Sequence, residues 1–277
     1  MRKIIYTVSV VLLTGLFGSA VNATTPSEDL VNFQKYYTER FPDTPFSDFG
    51  NGVYSIDAVS RETFDAIEEF PQYEIDIEKG EGLFNKSFAD GSGYFDCFGM
   101  AGVRHDYPYF DNDSGSIITL EQAINDCRKA AGEKPLKYKK GDIAAISAYM
   151  AYESRGEVFD IKVPDDPRAV AHYQRGRNHF YMKRGQLNLA CADCHMHNAG
   201  MKIRADLLSP ALGHLTHFPV YRAKWGSLGT AHRRFGGCNK QVRAKDFPAQ
   251  SDEYKALEYF LTYMSNGLVA NGPATRK

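Results

Sequence analysis

The run Cys191-Ala192-Asp193-Cys194-His195 decides how this chain is read. Two thiols with two residues between them, followed at once by an imidazole, form the attachment signal for c-type haem. The thiols add across the porphyrin vinyl groups, and the histidine becomes the proximal ligand of the iron. Zinc is the rival reading. A structural zinc site wants four ligands, and no second Cys/His pair of suitable spacing follows. A redox C-x-x-C needs no histidine after it, and no thioredoxin-like βαβ pattern surrounds this one. The motif therefore predicts one covalent haem c per chain, with His195 on the iron.

Working outward, the other side of the iron needs a ligand or stays open, and that choice sets potential and reactivity. Met201, His197, His214, His217, His232 and Cys238 all lie downstream. Met or His would make an ordinary electron carrier. Cysteine arithmetic brings Cys238 forward. Of five cysteines, Cys191 and Cys194 are taken by haem, and Cys97 and Cys127 lie in the other half and can pair. Cys238 is left over, within Arg233-Arg234-Phe235-Gly236-Gly237-Cys238-Asn239-Lys240. Flanking cations lower a thiol pKa. A thiolate is both an iron ligand and a sulfur nucleophile, while an intermolecular disulfide is the other use of an odd thiol.

The chain has 277 residues, 43% hydrophobic and 24% charged, which excludes a disordered or low-complexity protein. A formal net charge of -1 argues against binding nucleic acid through bulk positive charge. Residues 1–23 read as an export signal: Arg2 and Lys3, a short apolar run, then small residues ending before a cut near Ala23-Thr24. The run is shorter than the roughly 20 residues of a membrane span, so the expectation is export to the periplasm, no membrane segment after removal, and an environment where disulfides persist.

Charge is unevenly distributed. Residues 24–166 hold 14 Lys/Arg against 28 Asp/Glu, whereas 167–277 hold 17 against 6. Between 207 and 245 there is no acidic residue, only Arg222, Lys224, Arg233, Arg234, Lys240, Arg243 and Lys245 as charged groups. Such a stretch is either a solvated basic face or a field that draws in a small anion.

The segment Val163-Pro164-Asp165-Asp166-Pro167 discourages regular structure and divides the chain. We expect a signal over 1–23, an N-terminal extension over 24–74 with an outlying helix at 28–40, and mostly α domains over 75–163 and 164–277. Helices are expected from 78, with Gly80 and Gly82 close to a neighbouring backbone, and over 120–131 behind Thr119, 142–152, 166–185, and 251–263 behind Ser251. Residues 227–235 read as helical, stopped by Gly236-Gly237. Tyr94-Phe95-Asp96-Cys97-Phe98 aligns with C-x-x-C-H if the first cysteine became Tyr and the histidine Phe. That site cannot attach haem. A Cys97–Cys127 bridge would close a loop of roughly 30 residues, worth about 3–4 kcal/mol.

Several separate stretches, in order, resemble one family. Phe180-Tyr181-Met182-Lys183-Arg184-Gly185-Gln186-Leu187-Asn188-Leu189-Ala190 leads into the C-x-x-C-H run. Phe218-Pro219-Val220-Tyr221-Arg222 precedes Trp225, and His232-Arg233-Arg234-Phe235 precedes Cys238. Val242-Arg243-Ala244 and Glu253-Tyr254-Lys255-Ala256-Leu257-Glu258 continue the match. Together they resemble SoxA, the haem subunit of the periplasmic thiosulfate-oxidising Sox system. The resemblance covers most of 75–268.

The resemblance implies two cytochrome c-like domains, the N-terminal one without haem and closed by a Cys97–Cys127 disulfide. It implies a complex with a small cytochrome c, SoxX. It implies His195 and Cys238 as axial ligands, Cys238 as a persulfide that carries the sulfur chemistry, and Arg234 as a substrate residue. Family members often carry another arginine near the end of the last helix. This chain has Tyr263-Met264-Ser265 there, which leaves Arg222 or Arg243 as substitutes. The implied activity joins thiosulfate to a cysteine of the sulfur carrier SoxYZ. A thiosulfate dehydrogenase making tetrathionate and a plain electron-transfer cytochrome are the competing readings.

Overall fold

Polar residues ahead of apolar-periodic runs start the helices. Thr119 accepts a hydrogen bond from the Gln122 N–H, Ser251 from the Tyr254 N–H, and Asp166 from the Arg168 N–H. The computed structural model describes residues 24–276, so the expected export signal lies outside the described residues. In chain order the elements are α1 (Pro26–Arg40), a 3-10 stretch (Phe46–Ser55), α2 (Ala58–Glu68), α3 (Glu74–Phe84), α4 (Tyr94–Phe98), the hairpin β1 (Tyr109–Asp111) and β2 (Ser116–Ile118), α5 (Leu120–Ala130), α6 (Asp142–Glu153) and α7 (Pro167–Tyr181). A single π turn (Asp193–His197) follows, then the hairpin β3 (Lys202–Ile203) and β4 (Asp206–Leu207), β5 (Val220–Arg222), β6 (Ser227–Gly229), α8 (Ala231–Gln241), α9 (Asp252–Tyr263) and β7 (Ala274–Thr275). The fold is mostly α. Among the described residues no helix is long and apolar enough to cross a membrane.

Two expected helices differ. The helix from 166 stops at Tyr181, because Met182 turns extended and Arg184 bridges back to Leu189. Gly185 is a turn residue at φ 69°, where a Cβ would lie 2.1 Å from the Val242 carbonyl oxygen. Residues 227–229 pair with β5 as a strand, and α8 runs straight through Gly236-Gly237 to Gln241. Gly236 packs beside Asp246 rather than ending the helix.

Two hydrophobic cores form. One gathers Tyr73, Phe84, Phe88, Tyr94, Leu120, Ile124, Ile143 and Ile146, with Cys97 and Cys127 bonded at its edge. The other gathers Tyr173, Phe180, Leu212, Leu215, Leu257 and Phe260. Each is crossed by a helix pair that meets at a glycine. Where α3 crosses α6, a Cβ on Gly80 would lie 2.1 Å from the Ala145 carbonyl oxygen. Where α7 crosses α9, a Cβ on Gly176 would lie 2.0 Å from the Ala256 carbonyl oxygen. Gly82, also expected at a close approach, has nothing nearby.

The two units are copies of one plan, and they interlock. Pro108 and Pro219, Gly115 and Gly226, Thr119 and Thr230, and Cys127 and Cys238 are pairs 111 residues apart. β1 and β2 repeat as β5 and β6 at that spacing. Phe110 and Ile117 of the first hairpin sit in the second core, while Leu228 and Tyr221 of the second pack on the first. The Thr119 hydroxyl donates to Gln250 Oε1 (2.9 Å) and the Thr230 hydroxyl to the Tyr138 carbonyl (2.9 Å). Between the units lie buried Arg104, Glu121, Ser147, His232 and Glu258.

The first helix is not an outlier. Phe33 and Tyr37 of α1 are buried in the second core. Asp29 accepts from the Tyr173 hydroxyl (2.8 Å) and pairs with Arg177 (2.9 Å).

Candidate functional site

A cavity of about 530 Å³ opens in the second unit, and Cys191, Cys194, His195, Arg234 and Cys238 all line it. Different elements deliver them. Cys191 precedes the π turn, and Cys194 and His195 lie on it. Arg234 and Cys238 are four residues apart on α8, so they share one helix face. Much of the wall is apolar: Phe180, Leu208, Leu215, Phe218, Val220 and Leu261 among others.

The His195 ring is oriented from behind. Its Nδ1 lies 3.0 Å from the Ser209 carbonyl oxygen, which leaves Nε2 for a ligand. Ser209 Oγ also bonds His214 Nε2 (2.9 Å), and the two imidazole rings meet edge to face at 4.4 Å. Burial, followed by the charge of His195, holds His214 well below the usual histidine range, so it stays neutral.

The three thiols of the cavity behave differently. Burial pushes Cys191 up to about 12 and raises Cys194. Burial also opposes ionisation of Cys238, but Arg234, a hydrogen bond from His195 and the charge of Arg222 outweigh it and bring the thiol down to about 7. Of the three, only Cys238 is drawn towards ionisation.

Of the alternative distal ligands, His214 and His217 also line the cavity, His214 bonded through Nε2 to Ser209 Oγ (2.9 Å) and His217 through Nδ1 to the Gly50 carbonyl (3.1 Å). His232 is outside the lining and its Nδ1 accepts the Gln250 N–H (2.9 Å). His197 and Met201 are exposed. The cations flanking Cys238 also sort themselves. Arg233 lies over the Trp225 ring at 4.2 Å and bonds the Leu228 carbonyl, and Lys240 pairs with Asp246 (3.5 Å). Arg234 lines the cavity, together with Arg222 from β5, whereas Arg243 is not part of the lining.

Arg222, one of the two substitutes offered by the sequence, is joined on this wall by Arg184 and Arg276, which no sequence signal singled out. Arg184 Nη1, Arg222 Nε and Arg276 Nε are buried nitrogens with no hydrogen-bond partner, on residues that line this cavity. Burial lowers Arg222 and Arg276 to about 10. Unpaired buried guanidinium N–H groups mark a place for anions. An apolar wall with three thiols, an imidazole and unpaired guanidinium nitrogens fits a flat apolar group that carries carboxylates, and haem is such a group.

Known proteins resemble this chain. A family model described as SoxA/TsdA, cytochrome c domain, matches residues 78–159, which is the unit with the disulfide. The L-cysteine S-thiosulfotransferase subunit SoxA of Allochromatium vinosum is 56% identical over 93% of this chain and 92% of its own length. The subunit of the same name from Chlorobaculum thiosulfatiphilum is 51% identical over 99% and 97%. Among solved structures, SoxXA from P. pantotrophus superposes with a TM-score of 0.71 at 29% identity, over 78% of this chain and 84% of that one.

Proposed function

The chain belongs to the SoxA family, and from that premise we propose that it is the haem-bearing subunit of a periplasmic L-cysteine S-thiosulfotransferase, joining thiosulfate to a cysteine of the carrier SoxYZ. The observation that carries the reading is that Cys238, a free cysteine, lines the same cavity as Cys191, Cys194, His195 and Arg234. In this reading Cys191 and Cys194 would hold one haem through thioether bonds, His195 and Cys238 would be its iron ligands, and the unpaired nitrogens of Arg184, Arg222 and Arg276 would meet its carboxylates. A bound haem supplies one-electron redox chemistry. The solved relative is a SoxXA complex, and we assign this chain a small c-type cytochrome partner of the SoxX kind.

The reaction splits into two steps. Thiosulfate is a dianion, and the acid-free stretch from 207 to 245 favours its approach. Arg234 is suited to grip the sulfonate oxygens with its guanidinium fork, and Arg222 adds charge on the same wall. The Cys238 thiolate bonds the outer sulfur, giving Cys238–S–S–SO₃⁻ and releasing two electrons towards the partner cytochrome. The carrier thiol then attacks the outer sulfur. The Cys238 thiolate leaves, a proton is released, and the carrier keeps the S-thiosulfonate. A persulfide on Cys238 would run the same exchange through its terminal sulfur.

The test is to incubate the holo-complex with thiosulfate, an oxidised cytochrome and SoxYZ, and weigh the carrier peptide. The native protein should add one thiosulfonate per carrier cysteine. Cys238→Ala should abolish the product, and Arg234→Ala should lower kcat/KM by about 10–100-fold. Full conjugation by Cys238→Ala, or tetrathionate as the product without any carrier, would overturn the reading.

A further inference from the structure

The π turn that carries His195 leaves several backbone carbonyls without partners inside the turn, and one helix supplies donors to them. The Tyr37 hydroxyl donates to the His195 carbonyl (2.7 Å) and the Tyr36 hydroxyl to the Met196 carbonyl (3.0 Å). Arg40 Nη2 donates to the carbonyls of His197 (3.2 Å) and Ala199 (3.0 Å). All three side chains come from α1, more than 150 residues away in sequence. Tyr37 is fully buried, and the Ala211 N–H shares its contacts by reaching both the Tyr37 oxygen (3.3 Å) and the His195 carbonyl (2.9 Å).

Helix α1 is itself fixed to the same unit at several points. A capping box of Thr25 and Glu28 starts it, and Asp29 ties it to Tyr173 and Arg177 of α7. Gln34 Nε2 donates to the Asn266 carbonyl (2.8 Å) beyond α9. Phe33 packs edge to face on Phe180 (6.0 Å) and Phe260 (6.2 Å). The helix thus joins the frame of the cavity, α7 and α9, to the backbone of the turn.

We infer that Tyr36, Tyr37 and Arg40 are positioning residues for His195, holding the turn so that its imidazole stays in register with Cys238. This rests on the reading of His195 and Cys238 as the axial pair. Cys238 needs no such brace, because it rides on an eleven-residue α-helix with its own ladder of hydrogen bonds. His195 sits on a single five-residue π turn, a form frequent at functional sites. Ser209 orients the ring, and α1 sets where the ring starts from.

The test uses the haem-loaded full chain with three changes: Tyr37→Phe alone, Tyr36→Phe/Tyr37→Phe/Arg40→Gln together, and Tyr181→Phe as a control. Tyr181 also places a hydroxyl on this turn, but on the Met196 sulfur (3.6 Å) rather than on a carbonyl. The readouts are the ferric low-spin spectrum, the midpoint potential, and the rate at which added imidazole displaces an axial ligand, with circular dichroism to check the fold. Tyr37→Phe should exchange about threefold faster and the triple variant at least about tenfold faster, with a shifted potential and unchanged helix content, while Tyr181→Phe matches the native protein. Should the triple variant not fold, Tyr37→Phe, which removes one oxygen, decides alone. Native-like spectra, potential and exchange in a folded Tyr37→Phe and triple variant would overturn the inference. A native spectrum without the thiolate–imidazole signature would instead overturn the ligand assignment beneath it.

Discussion

Cys127 and Cys238 stand at the same place in two copies of one plan, each eight residues after a threonine that precedes its helix. In the first unit the sulfur is bonded to Cys97 and buried beside Tyr94, Phe84 and Phe88. In the second it is free and brought towards ionisation by Arg234, His195 and Arg222. Neighbours make the difference. The first unit keeps a hollow of about 230 Å³ where the second opens about 530 Å³. Tyr94 replaces the leading cysteine of the motif and occupies part of that space, and Phe98 replaces the histidine. The arginine on the wall there, Arg128, is spent on the Tyr94 hydroxyl, the Lys134 carbonyl and Glu133. One scaffold therefore gives a structural staple when its cations are paired and its cavity is filled, and a free sulfur in an open cavity when they are not.

The largest effect that would break this comparison concerns haem attachment. Cys191→Ala/Cys194→Ala should abolish haem staining on a denaturing gel, while Cys97→Ala/Cys127→Ala should leave it intact. Loss of staining in the second variant would mean that the first unit takes part in the chemistry. Next in size, the disulfide closes a loop with a sequence separation of 30. Its removal should cost about 3–4 kcal/mol in denaturant unfolding, with turnover per folded molecule unchanged.

The glycine crossings sharpen the likeness rather than the contrast. Gly80→Ala and Gly176→Ala each drive a Cβ into a backbone oxygen, and each should cost about 1–3 kcal/mol in thermal or denaturant melts. A neutral result at either would show that one crossing is looser than its counterpart.

The smallest effect lies between the units. Glu121 is buried and held above the usual carboxyl range, first by burial and then by Glu258. A raised native pKa means that the folded state binds the proton more tightly, so stability falls as pH rises from the normal carboxyl range through the native value. Glu121→Gln should flatten that decline and change little at lower pH, as read from melting temperature against pH.

Much of the site is legible in the sequence. C-x-x-C-H names its own chemistry, five cysteines leave one over, and the caps at Thr119 and Ser251 mark helix starts. The spacing of Arg234 and Cys238 is legible too, although Gly236-Gly237 looks like a helix end. Here packing against Asp246 outweighs the local propensity of glycine. Three-residue strands such as 116–118 and 227–229 are too short to show a period, so their exchange between cores is hidden. The kinship of the two halves is legible in Tyr94–Phe98 against C-x-x-C-H, but sparse identity masks the 111-residue register of Pro108, Gly115, Thr119 and Cys127 with Pro219, Gly226, Thr230 and Cys238. Arg276 and Tyr37 reach the site only through tertiary folding, which no local pattern announces.

The exchange of strands bears on why a unit without a catalytic sulfur is kept. Phe110 and Ile117 belong to it by sequence, yet they plug the core behind the reactive cavity. Deleting the inert half would remove a wall of the working one, so the pair must persist or decay together. The second unit's packing thus depends on side chains that the first unit supplies.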